Sequence, residues 1–240
     1  MRNIIYQPWG GLGDNLAHSI IPELCNQAGI KCYLSKHNVY RNQEIHDFVW
    51  KLNPYIEEER LDSTDLSWMD KGKQYEVGKL NHIQVLQKIY GFDTNFEYPK
   101  IYYTPKYIDN FKNKVLIDLT AHSAMSFITP TGIQTILKQL NIDKENAVYV
   151  IHTKVKYSAD VITLQDKIET LDINDLNYYS DVITSCKRFI TLLSGQSVLA
   201  STLKHQTNSD VQIDVLTPAK CLPHPNYSYT FSNANHIETY

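Results

Sequence analysis

No stretch of this sequence approaches the roughly 18 consecutive apolar residues that a membrane-crossing helix needs. The amino terminus, Met1-Arg2-Asn3 followed by Ile4-Ile5-Tyr6, also lacks the apolar core and small-residue cleavage site of a secretory leader, so a cytoplasmic protein is the expectation. Cysteine is scarce. Cys25, Cys32, Cys186 and Cys221 are the only four in 240 residues, too few for a disulfide scaffold and without the CxxC spacing of a zinc site. They read as small buried thiols. Net charge is also small: 23 basic against 26 acidic side chains leave −3, which gives no global basic field of the kind that holds nucleic acid non-specifically. The nine histidines show no HExxH or other ligand spacing, and no compact DxD is present, so no metal site is expected.

The chain has 42% hydrophobic and 20% charged residues, the balance of a folded globular protein rather than a disordered one. Its length allows one large domain or two of about 100 residues each.

Patterning favours two halves. Arg2 to Gln7 reads as a strand, Pro8 to Asp14 as a glycine-rich turn, and Asn15 to Ala28 as a helix whose apolar face is Leu16, Ala17, Ile20, Ile21, Leu24, Cys25 and Ala28. Pro22 should kink that helix and Gly29 should end it before a second strand, Ile30 to Leu34. Helices are expected over Asn42 to Leu52 and Leu80 to Tyr90. After a polar stretch the alternation restarts. Strands are expected at Val115 to Thr120, Ala147 to Thr153, Phe189 to Leu193 and Val211 to Leu216, with helices at Thr129 to Leu140, Asp175 to Cys186 and Ser197 to Lys204. Such alternation predicts parallel sheets. The fold class is therefore α/β, with two Rossmann-like domains, 1–105 and 114–217, facing a cleft. An aromatic, proline-containing tail, 218–240, should pack on the surface.

Two turns can carry chemistry. The first, Gly10-Gly11-Leu12-Gly13-Asp14-Asn15, lies between a strand and a helix. Its glycines permit close backbone approach, its amides suit an anion, and Asp14 at the carboxyl end of the first strand can serve as a general base. The same residues also suit a tight turn in which Asp14 or Asn15 merely caps the helix. The second, Leu193-Ser194-Gly195-Gln196-Ser197, offers a glycine, two hydroxyls and a helix start to a pyrophosphate, or else is an ordinary serine-capped βα turn. Lys154, just past the strand ending at Thr153, is the favoured cation for such a pyrophosphate, or else a solvated surface lysine. Lys187 and Arg188 fall at the wrong end of the sheet. His122 and Ser123, in the loop after Thr120, also sit at a carboxyl edge.

Taken together, Gly10-Gly11-Leu12-Gly13-Asp14, Ile21-Pro22-Glu23-Leu24 and the segment Asp181 to Leu203 resemble the heptosyltransferases (glycosyltransferase family 9-like) among the GT-B glycosyltransferases. The first turn is also similar to that of bacterial glycogen synthases. The resemblance implies a metal-independent glycosyltransferase that uses a nucleotide-sugar as co-substrate and needs no other cofactor. Asp14 would be the base, and Gly11, Gly13, Asn15, His122, Ser123, Lys154, Ser194, Gly195, Gln196 and Ser197 would contact donor or substrate. The acceptor would be a hydroxyl of a saccharide, a lipid-linked saccharide or modified DNA. Where the family pattern has an acidic residue before the Ser-Gly pair and a histidine three residues after it, this chain has Leu193 and Val198. Rival readings are a nucleotide-sugar epimerase, a transferase acting on modified DNA bases, and a non-catalytic binding protein of the same shape.

Overall fold

The computed structural model describes residues 2–66, 80–120, 138–142, 145–152, 168–218 and 229–239. The chain divides into two compact units. The first runs to Tyr103 and includes the tail residues 229–231. The second begins at Thr104 and includes 232–239.

In the first unit, β1 (Ile4–Ile5), β2 (Cys32–Ser35) and β3 (Ile56–Leu61) form a parallel sheet in that order. The single helix expected after the glycine turn is two short ones, α1 (Leu12–His18) and α2 (Ile21–Gln27). The break falls where the sequence places Pro22, which occupies the first turn of α2 because its missing N–H needs no partner there. Asn42 caps α3 (Gln43–His46) by accepting the Ile45 amide at 3.0 Å, and the chain continues as a π-helical turn, Asp47–Lys51. A reciprocal Asn81–Gln84 capping box opens α4 (His82–Tyr90), and Gly91 closes it in the left-handed region at φ +89°. Ile5, Leu16, Ile21, Leu34, Ile83 and Leu86 are fully enclosed, each worth about 1.5–3 kcal/mol relative to an exposed side chain.

In the second unit six strands run parallel: β4 (Val115–Asp118), β5 (Ala147–His152), β6 (Glu169–Ile173), β7 (Arg188–Leu192), β8 (Gln212–Pro218) and β9 (Asn235–Thr239). Their order across the sheet is β6-β5-β4-β7-β8-β9. Renumbered from β4 this is 3-2-1-4-5-6, the doubly wound order whose switch point, here between β4 and β7, is where such sheets bind ligands. The central strands are buried on both faces. Ile117, Leu119, Ala147, Tyr149, Ile190, Leu192 and Leu216 form the core of one face, while Leu116, Val148, Phe189, Ile213 and Val215 are enclosed on the other. Helix α5 (Leu176–Ser185) is capped by Asp175, and α6 (Gly195–Thr207) by Ser194.

Three strands depart from the sequence expectation. β3, β6 and β9 have no counterpart in it, and β9 lies within the tail expected only to pack on the surface. Elsewhere the tail does pack: Phe231 stacks on Tyr98 at 5.5 Å within the first unit. The expected helix Thr129 to Leu140 falls mostly outside the described residues. Among the described residues, no helix is long and apolar enough to cross a membrane.

Candidate functional site

In the first unit, the chain leaving β1 turns sharply over a second loop. Gly10 has φ +71°, and a Cβ there would lie 3.0 Å from both the Arg41 amide nitrogen and Val39 Cγ1. Glycine is required on both counts. The 38–41 loop is pinned to this turn by backbone hydrogen bonds from Val39 N to Gln7 O and from Arg41 N to Gly10 O, both 2.9 Å. Asn38 Oδ1 accepts the Gln7 amide at 2.7 Å. Asn15 is fully enclosed; its Nδ2 donates to Gly11 O at 2.9 Å and its Oδ1 accepts the Trp50 indole N–H at 2.7 Å. Its amide therefore holds the turn in shape. Gly13 is buried within the first turn of α1.

Asp14 behaves differently. It stands three residues after the helix-capping Gly11 and its carboxylate folds back onto the Gly11 amide, which is half of a capping box. A Cβ on Gly11 would meet Asp14 Oδ2 at 2.5 Å and lie 3.9 Å from an Arg41 terminal nitrogen. Burial raises the Asp14 carboxyl above the ordinary carboxylate range, while the Gly11 N–H and the Arg41 charge pull it partly back. The group is half-buried, an environment that makes a carboxylate a stronger base than one in open water. The helix behind it, α1, has only seven residues, so the turn draws little on a helix dipole.

In the second unit, the Ser194 turn follows β7 directly and so lies at the switch point. Its side chains are committed to the helix. Ser194 Oγ accepts the Gln196 amide at 3.3 Å, contacts Gln196 Oε1 at 2.5 Å and lies 3.1 Å from Leu192 O. Ser197 Oγ donates to Ser194 O at 2.7 Å and accepts the Ser194 amide at 3.1 Å. Ser197 and Val198 are fully enclosed. The two hydroxyls form a reciprocal capping box, the alternative the sequence left open, and the backbone around Gly195 is what this turn can also offer an anion. Arg188 is at the opposite edge as expected, with Nε 2.5 Å from the fully buried Asp214. His122, Ser123 and Lys154 lie outside the described residues.

The sequence reading missed a second polar cluster at the same carboxyl edge. Asp118, the last residue of β4, is completely buried. Its Oδ1 accepts the Thr120 amide at 2.9 Å, while Oδ2 meets His152 Nε2, at the end of β5, at 2.7 Å and also takes the Tyr179 hydroxyl of α5. The His152 and Tyr179 rings meet edge to face at 5.1 Å. A buried carboxylate that orients an imidazole beside the switch point can fix the imidazole's tautomer and hold a proton. The signal available in the sequence was a polar residue ending each of two apolar strands.

No protein-family model and no curated protein matches the sequence. Solved structures do. The dodecameric iron-containing heptosyltransferase TibC in complex with ADP-D-β-D-heptose superposes with a TM-score of 0.63 at 13% identity, over 96% of this chain and 61% of TibC. The family 9 glycosyl transferase of Veillonella parvula gives 0.58 at 12%, over 98% and 84%. The ADP-heptose lipopolysaccharide heptosyltransferase II of E. coli gives 0.51 at 11%, over 99% and 90%. The chain has a heptosyltransferase-like fold. It spans about three fifths of the length of TibC. Within this heptosyltransferase-like fold Asp14 follows the first strand of one unit, and Ser194 follows the strand beside the switch point of the other. Identities this low carry the fold; the chemistry has to be argued from the residues.

Proposed function

We propose that this chain moves a sugar from a nucleotide-sugar donor to a hydroxyl acceptor, with Asp14 removing the acceptor proton as the sugar is transferred. The observation that carries the reading is the Asp14 carboxylate itself. It is half-buried at the carboxyl end of β1, its pKa is raised by burial, and it is held on the Gly11 amide beside Arg41. The heptosyltransferase-like fold supports it, since structures of that fold include one solved with a nucleotide-sugar bound. In this reading the donor pyrophosphate lies on the Gly195 backbone at the start of the thirteen-residue helix α6, with Lys154, His122 and Ser123 as further donor contacts. In this reading transfer needs no metal, and the acceptor is a saccharide, a lipid-linked saccharide or a modified DNA base.

One observation favours a second reading, a binding protein that has lost its donor. The Ser194 and Ser197 hydroxyls are taken up by the capping box, and Val198 is enclosed where the family pattern has a histidine. Thermal denaturation against a panel of nucleotide-sugars separates the two, because a ligand that binds only the folded state raises the melting temperature by mass action. A rise with one donor, followed by product formation with a hydroxyl acceptor, supports transfer. No rise with any donor leaves the binding role.

A further inference from the structure

We propose that Arg41 is a positioning residue for Asp14: from a loop fastened to the Gly10–Gly11 turn, its guanidinium keeps the Asp14 carboxylate anionic and seated on the Gly11 amide. The inference rests on the reading of Asp14 as a base, and it adds the group that governs when that base is available.

The geometry is local and specific. The Arg41 backbone is tied to the turn, because its amide donates to Gly10 O at 2.9 Å and the nearby Val39 amide donates to Gln7 O at the same distance. At Gly11, the space a side chain would fill is closed by Asp14 Oδ2 at 2.5 Å and approached by an Arg41 terminal nitrogen at 3.9 Å. The two charged groups thus converge over one glycine. Burial works against the anion, so without a nearby cation the carboxyl would carry its proton further toward neutral pH.

The other ionisable groups around Asp14 are placed differently. His18, one turn later on α1, directs Nδ1 to the Asp14 carbonyl oxygen at 3.0 Å rather than to the carboxylate. His82, on the packed helix α4, is enclosed and held neutral by burial. At the start of the Arg41 loop Lys36 is exposed and His37 lies on Asp62 at 2.8 Å. Arg41 is the cation whose charge acts on Asp14. It is exposed, so replacing it opens no cavity, and its hydrogen bond to Gly10 comes from the backbone and survives any substitution but proline.

The test reads ionisation directly. The Asp14 side-chain carboxyl is followed by carbon-13 NMR through a pH titration in the wild-type chain, in Arg41→Gln and in Arg41→Lys, each with a melting curve. Arg41→Gln should move the Asp14 midpoint up, and Arg41→Lys should restore most of that shift because it keeps the charge. An unmoved midpoint in a folded Arg41→Gln chain overturns the proposal. So does an Arg41→Lys chain that titrates like Arg41→Gln, because the effect would then be one of shape rather than charge. Turnover enters separately. If the midpoint moves but Asp14→Asn leaves activity intact, the reading of Asp14 as base fails while the role of Arg41 stands.

Discussion

The turn after β1 and the turn after β7 occupy equivalent places, each at the carboxyl edge of a parallel sheet and leading into a helix, yet they spend their side chains differently. After β7 the polar groups close on themselves: Ser194 and Ser197 satisfy each other's backbone, and the helix gains a complete cap. After β1 the capping position is a glycine with no side chain to offer, so Asp14 makes only the backward half of the box and keeps a half-buried carboxylate facing Arg41. A completed capping box occupies its polar groups, whereas at the first turn Asp14 keeps a half-buried carboxylate. The hydroxyls of the second turn are engaged in capping α6, and the carboxylate of the first is the group to test.

Asp14→Asn should break this comparison most sharply. The amide keeps the size of the side chain and removes its basicity, so turnover should drop by roughly two to four orders of magnitude while donor affinity changes little. Initial rates beside a melting curve decide it. Near-normal turnover in a stable variant would make the first turn as purely structural as the second.

Acid should also weaken the first unit. His18 and His82 are enclosed in the first, and burial takes their pKa values from 6.5 to about 4 and about 3. Below pH 6.5 the unfolded chain binds protons that the folded chain refuses, so stability falls as pH falls. Each histidine contributes about 1.4 kcal/mol per pH unit until its folded pKa is reached. All three tryptophans, Trp9, Trp50 and Trp68, lie in the first 103 residues. Urea unfolding followed by tryptophan fluorescence at pH 7 and pH 5 should therefore show the midpoint dropping, and His82→Gln should flatten that dependence. A midpoint independent of pH would contradict the burial of both rings.

How much of this was legible in the sequence follows from where each element sits. The central strands β4, β5, β7 and β8 announce themselves by apolar runs such as Val115-Leu116-Ile117 and Ala147-Val148-Tyr149-Val150, because strands covered on both faces need apolar side chains on both. The three unforeseen strands are all sheet edges: β3 borders the first sheet, and β6 and β9 border the second. Half their surface faces water, so Ile56-Glu57-Glu58-Glu59-Arg60-Leu61 and Asn235-His236-Ile237-Glu238-Thr239 carry too little apolar periodicity to be read. The turns were found for the opposite reason, since glycines between a strand and a helix stand out. Arg41 was not, because nothing local marks it, and Asp118 and His152 were not, because the polar residue ending each apolar strand gains its meaning only when the strands pair. The fold brings residue 41 onto residue 10, and Asp118 meets His152 across paired parallel strands, 34 residues apart in the chain.

The backbone of the second turn can be tested on its own. Gly195→Val places a β-branched side chain where a pyrophosphate needs close approach, so nucleotide-sugar affinity should weaken by roughly tenfold or more, or about 1.4 kcal/mol, with a smaller change in folding stability. Calorimetric titration measures it. Unchanged affinity in a folded variant would remove this turn from the donor site.

Ser194→Ala should give the smallest effect and draws the finest line between the two turns. The hydroxyl accepts the Gln196 amide and caps α6, so its removal should cost about 1 kcal/mol of stability, the usual loss for such a cap. The Ser194 amide would still donate to Ser197 Oγ, and the Gly195 backbone would keep its place. Donor affinity and turnover should therefore remain within about twofold of wild type, below 0.5 kcal/mol. Chemical denaturation reads the first quantity and steady-state kinetics the second. A large loss of donor affinity with stability intact would show that the Ser194 hydroxyl leaves its cap to grip the ligand, and the contrast between a spent turn and an available one would fail on the side of the second turn.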